Sequence, residues 1–297
     1  MKSSSLVSII MTCHNGKFFI KDAVQSILNQ TYSNWELIFY DNCSNDGSAQ
    51  IVRQYQDPRI KCYNSENLVN LGTIRKLALK KCRGYVVSFL DVDDYWSELK
   101  LQKQVKKFED NSDLDIVYSN YFEVRAEKAN KKEKYLFNGY CQKEIISSYI
   151  NGSPLTAWVT LMIKKSSIDQ LEYSFDTNLH ISSDFDLIIR LSDFCKFDYV
   201  KDFLGYYRLH DFNESKDNKK EIKELAYIVL KYKDHNKISL FFEEKNFRDK
   251  IIIKNFLFKK ISKKFIQNSM YINNTFYKCI YFIIKIIPKQ VLRVFYK

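Results

Sequence analysis

The stretch VVSFLDVDDYW, residues 86–96, begins like a buried strand and ends in three acids. Its first five residues are apolar except for Ser88, a composition typical of a strand covered on both faces of a parallel sheet. Asp91, Asp93 and Asp94 then follow within four positions. Because ligands of open α/β sheets bind beyond the carboxyl ends of the strands, acids at this end indicate a binding site.

Strands and helices alternate along the first hundred residues. Short apolar runs predict strands at 6–12, 35–41, 60–64 and 85–91, and apolar residues at helical spacing predict helices at 17–32, 43–56 and 70–82. Alternation with such brief connections predicts an α/β fold, with a mostly parallel sheet flanked by helices.

Beyond residue 97 the pattern is less regular. We predict helices at 97–111, 143–152 and 182–194, strands at 114–124, 158–166 and 202–210, a solvated charged loop at 126–134 and a polar linker at 211–220. We expect one domain over residues 1–214, followed by a helical basic C-terminal region over 215–297.

Charge and composition limit the classes of protein. The 297-residue chain has a net charge of +12, with Lys concentrated in residues 215–297, which favours an anionic partner. None of the seven Cys has CxxC spacing, which argues against a zinc site and suits free thiols in a reducing compartment. No signal peptide and no apolar run of about 18 residues is evident, so we expect a cytoplasmic protein.

Two acidic motifs at strand ends have competing interpretations. The acids of residues 91–94 suit a divalent cation, since Mg²⁺ takes one or two carboxylates together with substrate phosphates; the plainer alternative is a surface loop or helix start. Asp41 and Asn42 follow the second strand, where they could accept hydrogen bonds from a base or a ribose. Neither GxGxxG nor GxxxxGK[ST] occurs, so neither a dinucleotide fold nor a P-loop is indicated.

Three further polar residues stand at the edges of predicted elements. Arg75 could contact phosphate or could simply be solvated. Asp184 could be a general base of raised pKa or an N-cap, with Asp186 as a competitor for the catalytic role. His210 could contact a metal or a diphosphate, or be structural.

In order and spacing, the segments VSIIMTCHNG, SILNQTYSNWELIFYDNCSNDGS, NLGTIRKLA, GYVVSFLDVDD and SSDFDLIIRL resemble family 2 glycosyltransferases with the GT-A fold. The resemblance covers residues 5 to about 212 and is to bacterial enzymes that make capsule, lipooligosaccharide or O-antigen sugars. The QxxRW motif of processive members is absent, so the resemblance implies transfer of a single sugar.

The resemblance also implies roles for individual residues. The nucleotide-sugar donor would be bound by Thr12, Asp41, Asn42, Arg75, Asp91 and Arg208. Asp93 and His210 would ligate Mn²⁺ or Mg²⁺ with Asp94 behind them, and Asp184 would be the catalytic base. Residues 5–97 would form the nucleotide-sugar half of the domain, and 98–214 the acceptor half.

Two positions depart from the family pattern. Asn42 stands where a second acid is usual, which weakens the preference for UDP over other nucleotides, and Ser183 stands where Glu often precedes the base.

The implied function is inverting, metal-dependent transfer from a UDP-sugar to a glycan or lipid-linked acceptor in cell-surface polysaccharide synthesis. A catalytically inactive nucleotide-sugar-binding or scaffold protein at the membrane, and a nucleotidyltransferase, are the alternatives.

The basic C-terminal region has two interpretations of its own. It could be an ordinary helical subdomain with a solvated Lys face, or it could lie on anionic lipid, where each Lys adds about 1 kcal/mol. The second would place the protein peripherally on the inner face of the cytoplasmic membrane. Nucleic-acid binding is disfavoured, because no recognised module is present.

Overall fold

The computed structural model describes residues 5–125, 157–211, 213, 220, 223, 224, 227, 228, 231 and 232, and the backbone of 131–134. The strands are β1 (Val7–Cys13), β2 (Trp35–Asp41), β3 (Ile60–Asn64), β4 (Val86–Phe89), β5 (Tyr95–Trp96), β6 (Ile116–Arg125), β7 (Lys131–Lys134), β8 (Met162–Lys164) and β9 (Phe197–Leu209). The helices are α1 (Ile20–Leu28), α2 (Ser48–Arg53), α3 (Leu71–Leu79), α4 (Lys100–Asp110), α5 (Lys165–Asp169) and α6 (Ser183–Leu191), and a 3-10 turn covers Trp158–Thr160.

These strands form one sheet in the order β3-β2-β1-β4-β8-β6-β9-β5, with β7 paired to β6. The first four strands in that order are parallel. Beyond β4 the sheet is mixed: β8 runs antiparallel to β4 and β6, β9 is parallel to β6, and β5 is antiparallel to β9. The predicted α/β class is confirmed, and the parallel half contains Asp41, which ends β2, and Asp91, which follows β4.

Apolar side chains of β1 alternate between two cores on opposite faces of the sheet. Ile9 and Met11 pack in the cluster that contains the buried face of α1, whereas Ile10 packs with Ile74 of α3. A strand has a side-chain period of two, so an unbroken apolar run can serve both faces. All seven residues of β1 and of β2 are accordingly buried.

Several boundaries differ from those predicted. The prediction of a solvated loop was wrong over residues 131–134, which form β7 and pair with β6. Lys-rich segments are common at sheet edges, because their charge discourages further strand pairing. The strand at 158–166 was right only over β8; a 3-10 turn precedes it and α5 follows it. The two-residue β5 was not predicted, and the helix at 143–152 lies outside the described residues.

Some of the basic C-terminal region is described. Residues 220, 223, 224, 227, 228 and 231 have helical backbone, and Ile228 and Tyr232 pack in a small apolar cluster with Phe185 and Ile189 of α6. Across the ranges described here, no helix is both long enough and apolar enough to cross a bilayer.

One buried carboxylate joins the first two strands to the segment before β4. Glu36 accepts hydrogen bonds from the Ser8 hydroxyl at 2.7 Å, from the Arg83 N–H at 2.8 Å and from the Arg83 guanidinium at 2.8 Å. The Ser8 hydroxyl in turn accepts the Gly84 N–H at 2.8 Å. Burial raises the pKa of Glu36, but these hydrogen bonds outweigh burial, and the pKa is lowered overall.

We expect Glu36→Gln to reduce the free energy of unfolding by about 2 kcal/mol at pH 7, because buried donors lose a charged acceptor. A lowered folded-state pKa contributes stability that is present above the unfolded pKa of about 4.3 and lost as pH falls through the folded value. The deficit of the variant should therefore shrink below about pH 4. Urea unfolding at about pH 7, 5 and 3 measures this, and a deficit that is as large at pH 3 as at pH 7 would contradict it.

Candidate active site

The carboxyl ends of three parallel strands bring the predicted residues to one rim of the sheet. Asp41 ends β2 and is in register with Cys13 at the end of β1, while Thr12 is buried one residue earlier. The N–H of Leu90, just after β4, donates to the carbonyl of Ile10, so that β4 ends beside β1. Asp91 follows directly at this rim.

Arg75 is the centre of the site. Its Nη2 contacts the two carboxylate oxygens of Asp91 at 3.1 and 3.4 Å, and its Nη1 donates to the Ser183 hydroxyl at 3.0 Å. Its guanidinium lies 4.4 Å from the ring centroid of Trp158, within the range of a cation–π contact. With only 3% of its surface exposed, Arg75 is a built part of the site rather than a solvated helix residue.

Asp91 combines a buried ion pair with an accessible edge. Its side chain retains 36% of its accessible surface, so a ligand can reach it. Burial raises the pKa of Asp91 to about 6, with the Arg75 guanidinium opposing the rise and the charge of Asp93 adding to it. The carboxylates at this rim therefore repel one another, an arrangement that a cation would relieve.

Asp93 meets the far end of the domain. Its Oδ2 lies 2.9 Å from His210 Nε2 and 3.2 Å from Asn213 Nδ2, although more than a hundred residues separate them in sequence. Asn213 Oδ1 also accepts the His210 N–H at 2.6 Å, and the Phe19 ring lies 4.4 Å from the imidazole. The structure thus places the two predicted metal ligands side by side.

Asp94 and Arg208 contact each other beside the site. The buried Asp94 carboxylate accepts the Arg208 N–H at 2.8 Å, and burial, followed by repulsion from Asp93, raises the pKa of Asp94 well above its ordinary value. The Arg208 guanidinium is paired with Asp22 of α1 at 2.9 Å. It lies about equally far from the rings of Phe19 and Tyr95, at 5.0 and 5.1 Å.

Asp41 and Asn42 differ in what they offer a ligand. Asp41 Oδ2 accepts the Ser44 N–H at 3.1 Å, while its buried Oδ1 has no hydrogen-bond partner among the residues described. The Asn42 amide instead donates to the Val69 carbonyl at 2.7 Å and accepts the Val69 N–H at 3.0 Å. An acid could not make the first of these bonds, which explains physically why Asn suits this position.

Asp184 lies in the first turn of α6, next to the serine that Arg75 contacts. Its carboxylate accepts the N–H of Phe185 at 2.8 Å and is half-buried. Burial raises the pKa of Asp184, and the Arg75 guanidinium opposes this rise. Asp186, the competing acid, is fully buried and paired with Arg190 and Lys231, so it cannot reach a substrate.

The residues present fit a divalent cation only as a partial shell. No cluster of three or more His, Cys, Asp or Glu side chains able to hold a metal occurs in the part of the chain described. Asp93 and His210, whose Oδ2 and Nε2 atoms lie 2.9 Å apart, are the side chains that would hold such an ion. This donor set suits an ion that arrives with substrate phosphates rather than one held by protein alone.

Sequence reasoning missed several residues that shape the site. Trp158 supplies the aromatic face under Arg75, and Asn213 bridges Asp93 and His210. Asn213 stands in the segment YRLH…N.S, which resembles the end-of-domain motif of the family, but the sequence predicted roles only for Arg208 and His210 of that segment. Asp22 is an exposed acid in the first turn of α1, where an acid is expected on helix grounds alone.

The comparison with known families identifies the chain. The sequence profile of glycosyl transferase family 2 matches residues 8–171, which is more than half of the chain. The chain belongs to glycosyl transferase family 2. It is a transferase, as the resemblance predicted.

Relatives of family 2 extend the comparison. An uncharacterised glycosyltransferase of Methanocaldococcus jannaschii is 32% identical over 241 residues, which are 78% of this chain and 80% of that protein. The Escherichia coli UDP-Glc:alpha-D-GlcNAc-diphosphoundecaprenol beta-1,3-glucosyltransferase WfgD is 38% identical over 116 residues. That match spans 39% of this chain and 46% of WfgD, so it covers less than half of the E. coli enzyme.

Two solved structures share the fold at low sequence identity. Staphylococcus aureus TarS (residues 1–349) in complex with UDP-GlcNAc superimposes with a TM-score of 0.63 at 17% identity, covering 86% of this chain and 72% of TarS. The mannosyltransferase PcManGT of Pyrobaculum calidifontis, in complex with GDP-Man and Mn²⁺, has a TM-score of 0.61 at 14% identity, covering 91% and 77%. The predicted GT-A fold is thereby confirmed.

We expect Arg75→Lys to lower the transferase kcat/KM by about tenfold or more, equivalent to about 1.4 kcal/mol. A lysine keeps the charge, but its single ammonium cannot bridge Asp91 and Ser183 while stacking on Trp158. Steady-state kinetics of the purified variant measures the effect. Lys76→Ala, at the next position of α3, is the matched control and should stay within about twofold; wild-type kinetics for Arg75→Lys would contradict the role of the bridge.

Proposed function

We propose that the chain transfers a single sugar from a UDP-sugar to a glycan or lipid-linked acceptor, with inversion at the anomeric carbon. The observation that carries the proposal is that hydrogen bonds from Arg75 join Asp91 to Ser183. Asp93 follows Asp91 by two residues, and Asp184 directly follows Ser183. This arrangement supports adjacent positions for the donor, the cation and the base.

In this proposal the nucleoside lies at the ends of β1 and β2, beside Thr12. Asp41 would receive an N–H of the base once its side chain turns toward the ligand, because its Oδ1 is buried without a hydrogen-bond partner among the residues described, which is costly. Asn42 supports this site indirectly by holding the loop at Val69. Asp91 accepts a ribose hydroxyl on its accessible edge.

The diphosphate of the donor lies at Asp93. Asp93 and His210 would hold Mn²⁺ or Mg²⁺ there, and the ion would neutralise charge on the leaving nucleoside diphosphate. Asn213 orients both ligands through its side chain. Arg208 acts through the ion pair with Asp22 and through its N–H, which fixes Asp94 behind the site.

Asp184 removes the proton from the acceptor hydroxyl. The resulting oxygen forms a bond to the anomeric carbon on the face opposite the diphosphate, and the bond from that carbon to the diphosphate oxygen breaks. One displacement inverts the configuration, so an α-linked donor yields a β-linked product. A raised pKa makes Asp184 a stronger base than an exposed aspartate.

The acceptor is proposed from the relatives and from charge. WfgD is named for a diphosphoundecaprenol-linked acceptor, and the +12 charge of this chain suits an anionic, lipid-linked substrate at a membrane surface. Cell-surface polysaccharide synthesis, with a protein peripheral to the inner face of the membrane, follows as the setting of the reaction.

We expect Asp184→Asn to lower kcat by about a hundredfold or more while leaving the donor Kd within about twofold, since the amide keeps the shape but cannot take a proton. Release of UDP in the presence of acceptor measures kcat, and calorimetry measures donor binding. Asp193→Asn, just beyond the end of the same helix, is the matched control. Undiminished transfer by Asp184→Asn would assign the base elsewhere.

We expect a UDP-sugar to raise the thermal midpoint more with Mn²⁺ than without it, because ligands that bind only the folded state stabilise it. Asp93→Asn should lose the metal-dependent part of the shift. Screening UDP-, GDP- and dTDP-sugars in the same assay names the donor class. Glu66→Gln, an exposed acid-to-amide change outside the rim, should retain the shift; an equal Mn²⁺ effect in Asp93→Asn would reject Asp93 as a ligand.

A further inference from the structure

A buried glutamate from the basic C-terminal region contacts the backbone just before the proposed base. Glu224 Oε1 accepts the N–H of His180, and its Oε2 accepts the N–H groups of Ile181 and Ser182, each at 2.8 Å. The Glu224 side chain is 6% exposed. One carboxylate thus binds three consecutive peptide groups, two positions before Asp184.

This contact supplies what the start of α6 lacks. Ser182 is the N-cap of α6, but its side chain makes no capping hydrogen bond. A carboxylate near a helix N-terminus is favoured by the helix dipole, and hydrogen bonds to an ionised acceptor are about twice as strong as neutral ones. Glu224 therefore fixes the position from which α6 begins.

The segment that carries Glu224 is anchored by other contacts. Lys231 bridges the carboxylates of Asp176 and Asp186 at 2.6 Å each, and the Tyr232 hydroxyl donates to Asp186 at 2.6 Å. Ile228 packs in the apolar cluster with α6. Glu224 can therefore be removed without removing the attachment of its segment.

The loop at residues 176–182, which precedes α6, also contacts the start of α3. The Gly72 N–H donates to the Leu179 carbonyl at 3.3 Å, and the Asn70 amide donates to the Thr177 carbonyl. A Cβ at residue 72 would collide with the Asp176 carbonyl, so this close approach requires glycine. Residues 176–182 therefore contact α3, the helix that carries Arg75, as well as Glu224.

We propose that Glu224 is a positioning residue, which holds residues 180–182 so that Ser183 and Asp184 meet Arg75 and the acceptor hydroxyl. The inference rests on the proposed role of Asp184 as base. It also gives Glu224, which lies in the basic C-terminal region, a contact with the start of α6. Nothing in the strand-end motifs points to this glutamate.

The test compares four variants of the full chain. Glu224→Ala removes every acceptor, and Glu224→Gln keeps one carbonyl oxygen at the same reach. Ile228→Ala weakens the same segment through its apolar contact, and the exposed Lys223→Ala is the neutral control. Three quantities are measured for each: amide hydrogen exchange at residues 180–182, donor Kd, and kcat at a temperature well below the thermal midpoint.

We expect Glu224→Ala to speed exchange at 180–182 by about tenfold or more and to lower kcat by about tenfold or more, with donor Kd within about twofold. Glu224→Gln should lie between Glu224→Ala and the wild type in both exchange and kcat. Ile228→Ala should lower the thermal midpoint while keeping kcat within about threefold. A loss of kcat confined to the Glu224 variants separates positioning from general destabilisation.

Three results would overturn the proposal: unchanged exchange at 180–182, faster exchange with wild-type kcat, or equal loss of kcat in Ile228→Ala. If Glu224→Ala does not fold, Glu224→Gln decides by the same criteria. Hydrogen exchange needs no turnover, so it tests the contact between Glu224 and residues 180–182 separately from the role of Asp184. Full activity of Asp184→Asn would reject the proposed base, and the contact of Glu224 would then be judged on exchange alone.

Discussion

The burial of one guanidinium organises the rim of the sheet. Moving a cation out of water costs several kcal/mol unless new contacts offset the lost hydration, and removing one partner of a buried pair leaves an uncompensated charge. The desolvation of Arg75 is offset by contacts with Asp91, the Ser183 hydroxyl and the face of Trp158, each from a different part of the chain. Those three parts cannot move independently of Arg75, and so the acids beside them are held in fixed relation to one another.

The three acids that follow β4 have separate environments despite their adjacency. Asp91 is paired yet accessible, Asp93 is shared with His210 and Asn213, and Asp94 is buried against the backbone of β9. Burial raises the pKa of Asp91 and of Asp94, and the charge of Asp93 adds to the rise at both, although the Arg75 guanidinium opposes it at Asp91. Such crowding is unfavourable in the folded protein by itself, and it is tolerated where a ligand of opposite charge belongs.

Local sequence predicted most of the parallel half of the fold, because strands covered on both faces must be apolar throughout and their ends must be polar. Asp91 could be named for the same reason, whereas Arg75 and Asp184 lie in helices and took their expected roles from the resemblance to family 2 glycosyltransferases. Local sequence could not predict that residues 158–160 would form a turn, since Trp158 is placed there by its stacking on Phe89 and by Arg75. Nor could it predict Glu224, a single acid in a Lys-rich stretch whose partners are peptide groups more than forty positions away. Backbone donors have no sequence signature, so this class of contact is visible only in three dimensions.

Asp93 and His210 are 117 positions apart in sequence, so their contact can form only late in the synthesis of the chain. Strands β1 to β4 pair with one another within the first ninety residues, and they can therefore collapse while the rest of the chain is still being synthesised. Until β9 arrives, the acids after β4 have neither His210 nor the Arg208 backbone to receive them, and like charges remain exposed at the growing edge. In any state in which only β1 to β4 have paired, the edge of the sheet at β4 is open, because β8, which begins at Met162, covers it in the folded protein. Premature association at that edge is the hazard that this topology carries.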